Sequence, residues 1–250
     1  MGEVIPTEWD VPARFRERVG RAAGRQRAMV EEGHLLLILH EVPPADDARR
    51  TARLFWRRPD GRWEDAAEGK RPSGGDGLAS LKRLVEAYAA RADALDEAVD
   101  DARTADVLVA LLREATPLSR AARHLSAALQ DARNALGDKE IISLRDSSQD
   151  TDRALELVLA DAHLALKHIE AKSAEAQAEF NRKAAAAQHR LNVLGATFFP
   201  VTAIGAVLGM NVRSGLEAAP PWAFWLIVAA TFGLGMLVRG TVVGAARREE

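Results

Sequence analysis

The apolar positions of this chain change their period along its length. Near the start they fall in short blocks. Ala28-Met29-Val30 is followed by Glu31-Glu32-Gly33, and then His34 to Val42 carries an unbroken apolar run from Leu35 to Leu39. A short run bounded by turn residues predicts a strand covered on both faces. Pro43-Pro44 ends it, because proline has no N–H to give to a ladder. Ala52 to Arg58 predicts a further strand, Pro59-Asp60-Gly61 a turn, and Arg62-Trp63-Glu64 the returning partner. Trp9 to Ala22 predicts a short helix, and residues 67–77 a Gly/Pro-rich loop.

From Leu78 onward the period becomes helical. Leu81, Leu84, Val85, Tyr88, Ala92, Leu95 and Val99 fall at helical spacing. Val107, Leu108, Leu111, Leu112, Leu118, Leu125, Leu129 and Leu136 continue it, with a break expected near Thr116-Pro117. Gly137-Asp138 marks an end. A third helical pattern is expected from about Asp150. There Leu155, Leu159, Ala162, Leu166, Ile169, Ser173, Ala176 and Phe180 alternate spacings of three and four, a heptad seam. Neither glycine nor proline occurs from Leu144 to Leu194, so this helix can run on without a break; 60 residues would span roughly 90 Å. A seam weak in large side chains suits packing in a larger oligomer, the alternative being a helix folded back on its own domain.

Two apolar segments close the chain. Leu191 to Val212, about 22 residues, carries no charge, and Trp222 to Val238 carries none either, extendable through Gly244 if Arg239 snorkels. Trp222 and Trp225 mark an interface. Arg182, Lys183 and Arg190 precede the first segment; Arg239, Arg247 and Arg248 follow the second. Positive flanks stay inside, so both termini are expected in the cytosol and the loop outside. Pro220-Pro221 suits a helix start. The expected layout is a strand-rich cytosolic region over 1–77, a cytosolic helical region over 78–149 and a stalk helix over 150–190. Transmembrane helices over 191–212 and 222–244 then flank an outer loop over 213–221, with a cytosolic tail over 245–250. The fold class is α+β: a small N-terminal α/β domain, a long helical stalk and two C-terminal transmembrane helices in a cell membrane.

Composition narrows the function. The 250 residues carry a formal net charge of −2 and no cysteine. Disulfides, thiolate metal sites and cysteine nucleophiles are excluded, and so small a charge gives no reason to expect nucleic acid. Met1 to Asp10 is polar, unlike a secretory signal. No nucleophile–base arrangement and no metalloprotease motif occurs, so an enzyme is not expected and no catalytic residue is assigned. His163 and His168 are five apart and do not share a helix face. Asp93, Asp96, Glu97, Asp100, Asp101 and Asp106 read as a solvated helix face. Gly74-Gly75-Asp76-Gly77 lacks the Lys-Ser/Thr of a phosphate loop.

Steps of seven through the first apolar segment pick out Asn181, Gln188, Gly195, Thr202 and Gly209. A polar stripe on a membrane helix faces protein or water. Gly205 and Gly209 form a small-xxx-small pair, which lets helices approach closely. The stripe therefore fits a pore lining or a helix contact, and two spans enclose a pore only in an oligomer.

The stretch Phe199-Pro200-Val201-Thr202-Ala203-Ile204-Gly205-Ala206-Val207-Leu208-Gly209-Met210-Asn211 resembles the end of the first membrane helix in the CorA family of divalent-cation channels. That family carries Gly-Met-Asn at this place, then a short loop and a second span near the C-terminus. The resemblance covers about residues 180–240 and implies a homopentamer with the first span lining a central pore for Mg²⁺. It places Asn211, with Gly209 and Met210, at the outer ion site, where an amide oxygen holds the ion through its water shell. Thr202 would form a second polar ring. Phe199 and Leu191 would be apolar constrictions, with Gly195 on the same face and Asn181 and Gln188 lining the cytosolic throat. In this family cytosolic carboxylates at subunit boundaries also sense Mg²⁺. The outer loop, Val212-Arg213-Ser214-Gly215-Leu216-Glu217, replaces the acidic loop usual in magnesium transporters; Arg213 repels cations and Glu217 attracts them weakly. Readings left open are transport of Zn²⁺, Co²⁺ or Ni²⁺, and a membrane signalling protein on the same scaffold, gated by a ligand or partner.

Overall fold

A computed structural model describes residues 3–20, 22–44, 51–209 and 220–246. The chain divides into two units, Met1–Ala171 and Lys172–Glu250.

The first unit is built on an antiparallel sheet in chain order: β1 (Arg27–Glu31), β2 (His34–His40), β3 (Ala52–Arg57) and β4 (Trp63–Ala67). The β1–β2 turn places Glu32 at φ 51° and Gly33 at φ 78°. Two successive positive φ values match the twist of a two-residue hairpin. Alternate residues of β2 go to opposite sides, as the pleat requires. Leu35, Leu37 and Leu39, with Phe55, join the core formed with the helices. Leu36 and Ile38, with Leu54 and Trp56, join Val4, Ile5, Trp9 and Phe15 of the N-terminal segment. The continuous apolar run thus has its physical reason: both faces are covered. The expected helix over Trp9 to Ala22 is shorter, α1 (Ala13–Arg18). Val11 precedes Pro12 and is pushed out of the helical region, and Val19 is already extended.

Helix α2 (Gly77–Asp101) starts where Asp76 caps it, its carboxylate accepting from the Leu78 N–H at 3.0 Å. Gly77 is pressed onto β4: a Cβ there would meet the Glu64 backbone at 2.6 to 2.8 Å. The helical break falls at Ala102–Thr104, not near Thr116-Pro117 as expected. Ala102 is extended, and Thr104 caps α3 (Ala105–Ala135) through its hydroxyl. Pro117 lies inside α3. It forfeits one backbone bond, but Ala115, Leu118, Ala122 and Leu125 are buried around it and hold the helix in place. Tyr88 of α2 donates its hydroxyl to the His40 carbonyl at 3.1 Å, and burial pushes its phenol pKa up, so it stays neutral.

Helix α4 (Lys139–Gly209) begins at Lys139 rather than near Asp150. Asp138 is the reason. Its carboxylate accepts from the Glu140 N–H at 2.9 Å and pairs with Arg57 of β3 at 3.0 Å. Along the heptad seam, Leu155 and Ala162 are buried and Leu159, Leu166 and Ile169 lie against the same core. This upper half of the seam is therefore used within the chain. From residue 171 to 192 every position is exposed, including Ser173, Ala176 and Phe180 of the lower half. Arg123 of α3 reaches Glu156 at 2.6 Å and Asp152 at 4.0 Å on α4.

In the second unit, α5 (Pro221–Ala246) follows α4. Both helices contain windows long and apolar enough to cross a membrane, within Lys139–Val207 and Pro221–Gly240. Pro221 opens α5, where its missing N–H costs nothing.

Two predictions follow from the first unit. Gly77→Ala forces a Cβ into backbone, and overpacking of this kind costs about 1–3 kcal/mol; a lowered thermal midpoint in detergent checks it. For Asp152, burial pushes the carboxyl pKa up, Arg123 pulls it down and Glu156 raises it, for a net rise. A folded pKa above the unfolded one means that stability falls as pH rises through the window between them. Asp152→Asn is therefore expected to raise the unfolding midpoint modestly at pH 7. The difference should narrow at pH 4, as read by denaturation at both values.

Candidate functional site

The second unit is held by a close helix contact. On α5 the least exposed side is a line of Ala223, Ile227, Thr231, Gly235 and Val238. On α4 it comprises Val193, Ala196, Thr197, Pro200, Val201 and Ile204. The two meet where Gly235 lies against Thr197: a Cβ on Gly235 would be 2.7 Å from the Thr197 carbonyl oxygen. Glycine permits this approach because it has no side chain. The nearby hydroxyls are satisfied locally. Thr231 donates to the Ile227 carbonyl at 2.7 Å, and Thr197 to that of Val193 at 2.8 Å. Such back-bonding lets a hydroxyl sit in an apolar setting without an orphaned donor.

The stripe singled out by sequence lies on the other side of α4. Gln188, Leu191, Gly195, Phe199, Thr202 and Gly209 are all exposed. At ~100° per residue they sit about 120–180° around the helix from Thr197. Asn181, on the same line, is exposed as well. Thr202 donates to the Phe198 carbonyl at 3.0 Å, leaving its oxygen lone pairs outward. The Asn181 amide oxygen accepts from Gln177 at 3.0 Å, and the Gln188 amide donates to Asn192 at 3.0 Å. Met210, Asn211, Arg213 and Glu217 lie outside the described residues.

Within the chain, the close helix contact is not made at Gly205 and Gly209. Gly195, Gly205 and Gly209 have nothing within 4 Å of an added Cβ, so none of them makes the described helix contact. Gly235, four residues after the buried Thr231 on α5, does. That spacing was the available signal, and sequence reasoning passed over it.

Charge and aromatic groups frame the spans. Lys183 pairs with Glu179 at 2.7 Å, and Arg182 and Arg190 are exposed beside it. Trp222, Phe224 and Trp225 are exposed at the start of α5, as an interfacial belt would be. Of the acidic run on α2, Asp93 reaches a groove of about 450 Å³ shared with Ser147, Asp150 and Thr151. Among the described residues no three His, Asp or Glu side chains are grouped to hold a metal ion. What the described α4 face offers is neutral hydroxyl and amide side chains among small and apolar ones.

Comparison with known proteins assigns the chain. Among curated proteins no sequence matches. The fold is similar to that of the full-length CmaX protein, at 15% identity and a TM-score of 0.54, over 94% of this chain and 83% of that one. The cytoplasmic domain of ZntB from Vibrio parahaemolyticus RIMD 2210633 aligns at 14% identity and a TM-score of 0.42, over 66% of this chain and 80% of that one. The complete CorA magnesium transporter from Methanocaldococcus jannaschii aligns at 14% identity and a TM-score of 0.36, over 90% and 80%. Residues 78–239, from α2 through most of α5, match the family described as CorA-like Mg2+ transporter protein. The chain belongs to this family of ion transporters.

Proposed function

We propose that the chain is one subunit of a homopentameric channel that passes Mg²⁺ across the cell membrane into the cytosol. Both termini lie inside, and residues 213–221 form the outer loop. The observation that carries this reading is the sidedness of α4. Its contact with α5 is at Thr197, while Gln188, Gly195, Thr202 and Gly209 are exposed on the far side. A helix with polar groups opposite its own partner needs water or further copies there.

In this reading five α4 helices surround the axis. Asn211, with Gly209 and Met210, holds the incoming ion at the mouth through its water shell, since Mg²⁺ gives up water reluctantly. Thr202 adds a ring of hydroxyl oxygens one step deeper. Phe199 and Leu191 are apolar constrictions that close by dewetting, and Gln188 and Asn181 line the inner throat. Glu217 attracts cations weakly near the mouth. Exposed positions 171–192 supply the stalk surface on which the copies meet, as a lone helix of this kind is marginal in water.

The test is Mg²⁺ uptake by the purified chain in proteoliposomes, read by an entrapped indicator. The parent chain is expected to conduct, and Asn211→Ala to conduct at least about tenfold more slowly, a loss of about 1.4 kcal/mol in barrier terms. Equal rates for parent and Asn211→Ala would remove Asn211 from the filter. Parallel runs with Zn²⁺, Co²⁺ and Ni²⁺ identify the cargo, with Mg²⁺ expected to be carried fastest.

A further inference from the structure

We infer that Gly235 on α5 is a positioning residue for the pore-lining face of α4, setting the radius at which Thr202 and Phe199 stand; this rests on the pore reading above. Among the described residues, glycines on the two apolar segments differ sharply in their surroundings. An added Cβ at Gly195, Gly205, Gly209, Gly233 or Gly240 meets nothing within 4 Å. At Gly235 it meets the Thr197 carbonyl oxygen at 2.7 Å, the carbonyl carbon at 3.6 Å and the Cα at 3.8 Å. The obstacle is backbone, which no rotamer change can clear. Restoring an ordinary contact requires the helices to part by at least roughly 0.7 Å.

The direction of that parting matters. Thr202 and Phe199 lie about 140–160° around α4 from Thr197, at ~100° per residue. Separating α5 from Thr197 therefore displaces α4 along the line that carries Thr202 and Phe199 toward the axis. Pro200 stands between the contact and this face inside an otherwise continuous helix, and its missing N–H leaves α4 easier to bend at this level. Ring chemistry is unchanged by the shift while ring size is not. Thr231, buried one turn before Gly235, keeps the α5 face small on that side of the contact.

The experiment compares full-length Gly235→Ala and Gly235→Leu with Gly233→Ala and Gly233→Leu in proteoliposomes. Maximal Mg²⁺ flux per reconstituted chain is expected to fall about threefold for Gly235→Ala and more than tenfold for Gly235→Leu. The half-saturating concentration, set at the Asn211 mouth, should hold within about twofold, and both Gly233 variants should match the parent. A merely destabilising substitution would lower the yield of folded chain without this split between maximal flux and half-saturation. Because the chain has no cysteine, spin labels on Phe198→Cys and Leu234→Cys, diluted with unlabelled chain, report the helix separation directly. It should lengthen for Gly235→Leu and not for Gly233→Leu. Parent-like flux in Gly235→Leu, or equal losses at both glycines, overturns the inference. A parent chain without flux overturns the pore reading instead, and the label distance then decides by itself whether Gly235 sets the separation.

Discussion

Everything in this chain depends on one backbone constraint: α4 stays helical from Lys139 to Gly209, with only Pro200 withholding an N–H. In hydrocarbon no water replaces a lost backbone bond, so a spanning segment must satisfy its own polar groups. The same helix meets water at its start, where burial of Leu155, Val158 and Ala162 attaches it to the sheet unit. Its two ends are thus stabilised by different physics. Near the sheet, removal of apolar area from water holds the helix. Near Gly209, in the membrane setting proposed above, that force is absent, because lipid is as apolar as leucine, and close fit takes its place. The Gly235–Thr197 approach is what close fit looks like in this fold.

That division explains where polar side chains sit. Thr197, Thr202 and Thr231 each return their hydroxyl proton to a carbonyl four residues back, at 2.7 to 3.0 Å. No hydroxyl proton among the three then needs a partner on another helix. What remains are oxygen lone pairs, and those of Thr202 face away from α5. A helix pair that needed these hydroxyls for its own association would have turned Thr202 inward. Here Gly235 does that work, which leaves Thr202 available for something else.

Much of the first unit could be read from local pattern. Leu35 to Leu39 announced a strand buried on both faces, and Pro59-Asp60-Gly61 announced its neighbour's turn, because period and turn chemistry act over a few residues. The errors arose where tertiary contacts outweigh propensity. Pro117 looked like a breaker, yet the burial around it keeps α3 whole, and the real break needed only the Thr104 cap. Gly137-Asp138 does mark the end of α3, but the ion pair of Asp138 with Arg57 also makes it the start of the next helix, well before Asp150. The Leu155-to-Phe180 seam fits either an oligomeric stalk or a helix folded on its own domain; it faces its own core down to Ile169 and is exposed from Ser173. The line from Asn181 to Gly209 could be drawn from spacing alone, because a sevenfold step keeps one face. Which face α5 would cover could not, since Thr231 and Gly235 resemble any other small pair until a partner backbone is placed against them.

The chemistry of the two apolar segments bears on the cargo of the pore proposed above. From Leu191 to Val238 the charged residues are Arg213 and Glu217 alone, and histidine and cysteine are absent. Softer or borderline ions such as Zn²⁺, Ni²⁺ and Co²⁺ gain most from imidazole or thiolate, and a lining without either forgoes that gain. Neutral hydroxyl, amide and carbonyl oxygens favour a hard cation that keeps its water, which is the habit of Mg²⁺. Such oxygens bind weakly enough to let the ion go, and conduction requires release as much as capture. In the pore proposed above, the positive charge of Arg213 would repel cations from the mouth. In that proposed pore, discrimination would rest on the size of the hydrated ion, which ties it to the radius of the ring and to the helix contact behind it.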